Sequence, residues 1–218
     1  RSGVWLGHDW NIRFSPEAQA GAEKLCQQWG DYLYQQGYKG VFGLDIIVDK
    51  NNRVFPIECN ARYTGAFPMY TMMQLNNKEM PLDVWHLLEW LGVDYDMDFD
   101  EVQKFSRKPK QGAQLLLHNL ERKTVTATKT VKAGVYKLNA NKYLRPGFSL
   151  MDIKSEDEFV LCDRVAGEES VLKPAERLGR LVFKRQVVDK KGRLLPEIRE
   201  VVRAVYDSFA LMPVSGIM

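Results

Sequence analysis

The chain has 218 residues, 45% of them hydrophobic and 27% charged, enough to bury a core in one large domain or two small ones. A formal charge of +3 and a pI near 8.7 amount to a mild basic bias, and nothing in the composition suits a fibrous or disordered protein. Cys26, Cys59 and Cys162 have no zinc-ligand spacing, and the first two read as buried small hydrophobes in a reducing compartment. With no apolar stretch near the ~18 residues that span a membrane and no signal peptide, the expected location is the cytoplasm.

Residues 1–14 read as a loop or short strands. Ser15-Pro16-Glu17 then starts a helix: Ser15 caps free N–H groups, Pro16 suits the first position and Glu17 complements the positive end. Ala18, Ala22, Leu25, Cys26, Trp29 and Leu33 recur on one face as far as a stop at Gly37. GLDIIVDK and RVFPIECNA follow as two strands, joined by a two-residue turn at Asn51-Asn52. In that register Asp45 falls opposite Glu58. Leu44, Ile46, Val48, Phe55, Ile57 and Cys59 take the core face, while Asp45, Ile47, Asp49, Val54, Pro56, Glu58 and Asn60 take the other. Pro56 removes a ladder donor, which marks its strand as an edge or as irregular.

Gly65 and Pro68 break the strand, and a helix is expected near 81–91, with Leu82, Trp85, Leu88 and Trp90 or Leu91 toward the core and Gly92 as its stop. The change from acidic 93–101 to basic 106–110 is the best internal boundary, giving domains 1–103 and 111–218. The second holds the strand candidates QLLLHNL, TVTATKTVKAGVYKL, FVLCDRV and RLVFKRQVV, a turn at Pro146-Gly147, and a closing helix on Ile198, Val201, Val202, Val205 and Phe209. The fold class is therefore α+β. The basic runs 104–110 and 184–193 lack the aromatic interleaving of a nucleic-acid site and read as solvated face or linker.

Two carboxylates opposed across a hairpin repel each other unless a cation sits between them, and Mg²⁺ favours a few hard oxygens while keeping waters and phosphates in its shell. Asn60 adds a neutral oxygen on that face, and Arg62 continues the alternation with a fork suited to phosphoryl oxygen. On spacing alone, a solvent-facing hairpin with Arg62 as a surface partner accounts for the same pattern.

The wording GLDIIVDKNNRVFPIECNARYTG resembles the metal-binding hairpin and following loop of the ATP-grasp superfamily, in which an acidic residue precedes Glu-x-Asn-x-Arg by about a dozen positions. The resemblance covers roughly 15–92 and implies the C-terminal ATP-grasp subdomain, an antiparallel sheet with flanking helices, followed by a small β-rich domain. It implies Asp45, Glu58 and Asn60 as ligands for Mg²⁺, or Mn²⁺ in its place. Arg62 would be the catalytic arginine near the transferred phosphate of ATP, with Thr64 and Gly65 on the substrate side.

The activity implied is a ligase in which ATP phosphorylates a small-molecule carboxylate and an amine, thiol or other nucleophile attacks the acyl phosphate. His8, beside Asp9 and Trp10, is a candidate substrate contact. The family's ATP-holding lysines precede the hairpin helix, and residues 3–7 lack a P-loop ending. The expectation is thus a C-terminal piece completed by an N-terminal portion of the same protein. The alternatives are a non-catalytic binding or scaffolding module, or a basic nucleic-acid-binding module.

Overall fold

A computed structural model describes residues 4–214; Gly3 of the 3–7 stretch lies outside the described residues. In chain order the elements are β1 (Gly7–Asp9), α1 (Pro16–Gln35), β2 (Gly43–Val48), β3 (Val54–Asn60), α2 (Phe67–Asn76), α3 (Leu82–Leu91) and α4 (Phe99–Ser106). There follow β4 (Ala113–His118), β5 (Val125–Ala127), β6 (Gly134–Lys137), β7 (Lys142–Arg145), β8 (Glu158–Cys162), β9 (Val171–Leu172), β10 (Arg177–Phe183), α5 (Pro196–Ser208) and β11 (Leu211–Pro213). This is a mixed α+β fold with antiparallel sheets. None of the described helices is long and apolar enough to cross a membrane.

The chain divides into two units, residues 13–109 and residues 1–12 with 110–218. One feature of the expected division changes. The first twelve residues do not belong with the hairpin, because β1 pairs antiparallel with β4, Gly7 opposite Leu115 and Asp9 opposite Ala113. The border at 109/110 falls at the end of the charge switch, as expected, and the switch itself contains a helix. Asp98 caps α4 by accepting from the Glu101 N–H at 2.9 Å, Asp100 and Glu101 sit in the first turn, and Lys104 is in the last. Acid at the start and base at the end is the order that the helix dipole favours.

In the 13–109 unit, Ser15 caps α1 as expected, accepting from Ala18 N–H at 3.2 Å. The helix lies along the β2–β3 hairpin: a Cβ on Gly21 would stand 2.9 Å from Val54 Cγ2, and one on Gly30 would stand 3.7 Å from Phe42. Cys26 is exposed and Cys59 only half-buried, so neither is the buried small hydrophobe the sequence suggested. Residues 67–76 are a helix where a simple break was expected, because Pro68 falls in the first turn, the one helical place that needs no N–H from it. Helix α3 ends at Gly92, whose φ of 64° supplies the left-handed cap, but Trp90 and Leu91 are exposed rather than packed.

The other unit holds a six-stranded sheet, order β1-β4-β10-β8-β6-β7, and a three-stranded sheet, order β11-β5-β9. One buried cluster draws Leu161, Leu178, Leu181 and Phe183 from the first sheet, Val125 and Leu172 from the second, and Ile198, Val201 and Val205 from α5. Phe159 is stacked between Tyr136 and Phe183 at centroid distances of 5.4 and 5.7 Å. Asn119 closes the end of β4: its buried side-chain amide donates to the Lys123, Leu172 and Lys173 carbonyls at 3.0–3.1 Å, and its Oδ1 accepts from Glu121 N–H. Replacing Asn119 by Ala strands these carbonyls and is expected to cost about 2–3 kcal/mol in urea denaturation; a loss below about 0.5 kcal/mol would contradict this role.

Arg145 and Glu158 form a two-bond pair across β7 and β8, at 2.9 and 2.7 Å, and Arg145 also donates to the Asp152 carbonyl. The bond from Arg145 is the main cause that lowers the Glu158 pKa below the usual carboxylate value. The stabilisation is therefore full above the unfolded-state pKa and fades as pH falls through the lower folded one. Arg145→Met is expected to cost about 2 kcal/mol at pH 7. The gap from wild type narrows when both are denatured below about pH 3, and a gap that holds constant would contradict this.

Candidate functional site

The hairpin brings Asp45 opposite Glu58 and Gly43 opposite Asn60, so the three oxygen-bearing side chains share one face. The route to that register differs from the expected one. Asp49 N–H donates to Arg53 O at 2.9 Å and Asn52 takes φ 61°, which makes a three-residue loop over Lys50, Asn51 and Asn52. Val48 consequently pairs with Val54 and Ile47 with Phe55, one residue out of the expected register. A bulge after Asp45, beside Pro56, absorbs one residue of β3 and restores the Asp45–Glu58 pairing.

The shift exchanges faces near the turn. Val54 turns inward onto α1, while Phe55 and Ile57 are exposed instead of lying in the core. Ile47 and Phe55 thus form an apolar shelf on the same face as the carboxylates, with the Arg53 guanidinium 5.6 Å from the Phe55 ring centre.

Asp45 and Glu58 are both exposed, and among the described residues neither side chain has a hydrogen bond or ion pair. Arg62 turns back along the strand, its Nη2 donating to Asn60 Oδ1 at 2.9 Å and its backbone N–H to Asn60 O at 2.7 Å. The Thr64 hydroxyl accepts from Ala66 N–H at 3.4 Å, and its carbonyl from Phe67 N–H, so Thr64 and Gly65 lead directly into α2. The site residues of the hairpin and loop are therefore contiguous. His8 is not among them: it belongs to the other unit, on β1, with its ring between Trp5 and Trp10 at 5.1 and 5.0 Å.

Reading the sequence missed the clamp that holds this loop. Tyr63 donates to Asp83 Oδ1 at 2.8 Å, and Thr71 donates to Asp83 Oδ2 at 2.5 Å, tying the residue after Arg62 to the middle of α2 and the start of α3. Desolvation, then the Asp83 bond, push the Tyr63 hydroxyl up to about 12, so it stays a donor across the physiological range. Tyr63 also stacks on Phe67 at 4.9 Å. The only signal in the sequence was an aromatic residue inside the Arg-Tyr-Thr-Gly loop.

Among the described residues no three His, Cys, Asp or Glu side chains converge as a metal set. The donors on the hairpin face are two carboxylates and one amide oxygen. That set suits Mg²⁺, which takes one or two protein carboxylates and fills its shell with water and phosphate oxygens. Basic residues of the runs 104–110 and 184–193 have local partners: Arg107 pairs with Glu23, Arg185 with Glu197 and Arg193 with Asp189. Comparison with protein families, curated proteins and solved structures returned no match to this chain.

Proposed function

We propose that this chain carries the metal- and phosphate-facing wall of an ATP-dependent carboxylate ligase of ATP-grasp type. The observation that supports the reading is the pairing of Asp45 with Glu58, two exposed carboxylates held face to face with no cation of the described residues paired to either. Such an arrangement costs folding energy and is relieved by a bound divalent ion. Asn60 and Arg62 extend the same wall with a neutral oxygen and a guanidinium.

Bound Mg²⁺ would supply charge neutralisation for the ATP phosphates. Asp45 and Glu58 would hold it, and Asn60 would contribute once Arg62 releases its oxygen. Arg62 would then orient and stabilise the phosphoryl group as a charged, planar donor. In the first step a carboxylate oxygen bonds to the terminal phosphorus of ATP as the bond to ADP breaks. In the second, the amine, thiol or other nucleophile attacks the acyl carbon and inorganic phosphate leaves. The Tyr63–Asp83–Thr71 clamp fixes the loop that presents Arg62 and Thr64, so positioning does much of the work.

The acyl phosphate is the step to detect. With ATP, Mg²⁺ and a panel of small carboxylic acids, the full-length protein should yield hydroxamate when hydroxylamine replaces the natural nucleophile. ATP turnover with no hydroxamate from any acid would contradict the ligase reading.

A further inference from the structure

Two residues given different tasks on the hairpin wall hold each other. Arg62 Nη2 donates to Asn60 Oδ1 at 2.9 Å, and that amide oxygen is the neutral one on the carboxylate face. The contact follows from the backbone. Arg62 N–H donates to Asn60 O at 2.7 Å, a tight turn over Ala61 that ends β3 and folds the chain back on its own last residue. Tyr63 is then pinned by its bond to Asp83 Oδ1 at 2.8 Å. The main chain is thus held on both sides of Arg62, and its exposed side chain is the part left to move. Besides Asn60, that side chain has one long bond, from Nη1 to Tyr63 O at 3.5 Å.

The guanidinium rests on a neutral oxygen although Glu58 stands four residues back on the same strand. Among the described residues Arg62 pairs with no carboxylate. Its charge is therefore uncompensated, and a hydrogen bond to an anionic oxygen is roughly twice as strong as one to a neutral oxygen. A phosphate within reach draws the side chain off Asn60.

A divalent ion competes for the same oxygen. An amide oxygen has two lone pairs, so both cations could in principle be accepted at once. A guanidinium on one lone pair and a divalent ion on the other would then stand a few ångströms apart with like charge, and that repulsion sets one against the other. An anion that takes the guanidinium removes the conflict.

We infer, resting on the metal reading above, that Arg62 is a latch on Asn60: Asn60 joins the shell of the divalent ion only once a phosphate has taken the guanidinium. Without phosphate, Asp45 and Glu58 hold the ion alone. Phosphate and ion then bind cooperatively, and by linkage each tightens the other by the same factor.

Mn²⁺ titration followed by electron paramagnetic resonance, with and without inorganic phosphate as the probe, tests the latch in wild type, Asn60→Ala, Arg62→Met and the double variant. Without phosphate, Asn60→Ala is expected to change Mn²⁺ affinity by less than about twofold, and with saturating phosphate to lower it about tenfold. On the Arg62→Met background the latch is gone, so Asn60→Ala costs about tenfold even without phosphate. This last comparison separates a latch from a simple charge effect, since removing a nearby cation raises affinity equally with and without Asn60. An Asn60→Ala penalty that is the same with and without phosphate when Arg62 is present, or that is absent in Arg62→Met, would overturn the latch and leave the metal site standing. Absence of Mn²⁺ binding in all four proteins would overturn the metal site and the latch with it.

Discussion

Replacing Glu58 by Gln should lower ATP-dependent hydroxamate formation by about 10²–10³-fold while leaving the fold intact or slightly more stable. The two halves of that result have one cause. Glu58 faces Asp45 across the hairpin, and like charges in directly opposite positions destabilise a strand pair. Glutamine keeps the shape, removes the repulsion, and at the same time removes one of the two anions that would hold the divalent ion. If Glu58 were an ordinary surface residue, the substitution would change neither rate nor stability. If it served the fold, stability would fall. A large loss of rate at equal or higher melting temperature is the outcome specific to a metal ligand, and wild-type activity in the variant would contradict the assignment.

The largest effect on stability is expected at Phe183. It is fully buried, stacks on Phe159 at 5.7 Å, and stands in the cluster that joins both sheets to α5. Phe183→Ala removes the transfer free energy of the ring and leaves a hole that its neighbours cannot close. The expected cost is about 3–5 kcal/mol. Against a total of roughly 5–15 kcal/mol for a domain, that leaves a marginal fold. Urea denaturation of the two proteins measures it, and a loss below about 1 kcal/mol would show that the stack is not a principal support of this core.

Where local chemistry decides the structure, the sequence is readable. The Ser15 cap, the Gly92 stop and the α5 stripe lie where their residues place them, because cap and period act over a few positions, whereas the run 124–138 is cut into β5 and β6 in different sheets and the run from 180 leaves the strand at Phe183. The hairpin shows the opposite case. A turn one residue longer than expected moves Phe55 and Ile57 outward, and a bulge beside Pro56 then brings Asp45 back opposite Glu58. Two errors cancel at the carboxylates and persist at the apolar positions. Period-two alternation alone carries no information on where a residue is looped out.

Other features depend on partners distant in sequence. Nothing in Gly7–Asp9 announces that it pairs with Ala113–Leu115. The Tyr63–Asp83 clamp spans twenty positions. The acid-to-base switch near residue 100 did mark the border, which falls at 109/110 just after the helix that carries it.

The central claim is that Asp45 and Glu58 hold a divalent ion. Electron paramagnetic resonance of Mn²⁺ titrated into this chain, with and without ATP, tests it most directly. The expected result is one bound ion per chain, tightened by ATP, with affinity reduced by about tenfold or more in Asp45→Asn and in Glu58→Gln. Binding that is unchanged in both variants would contradict it.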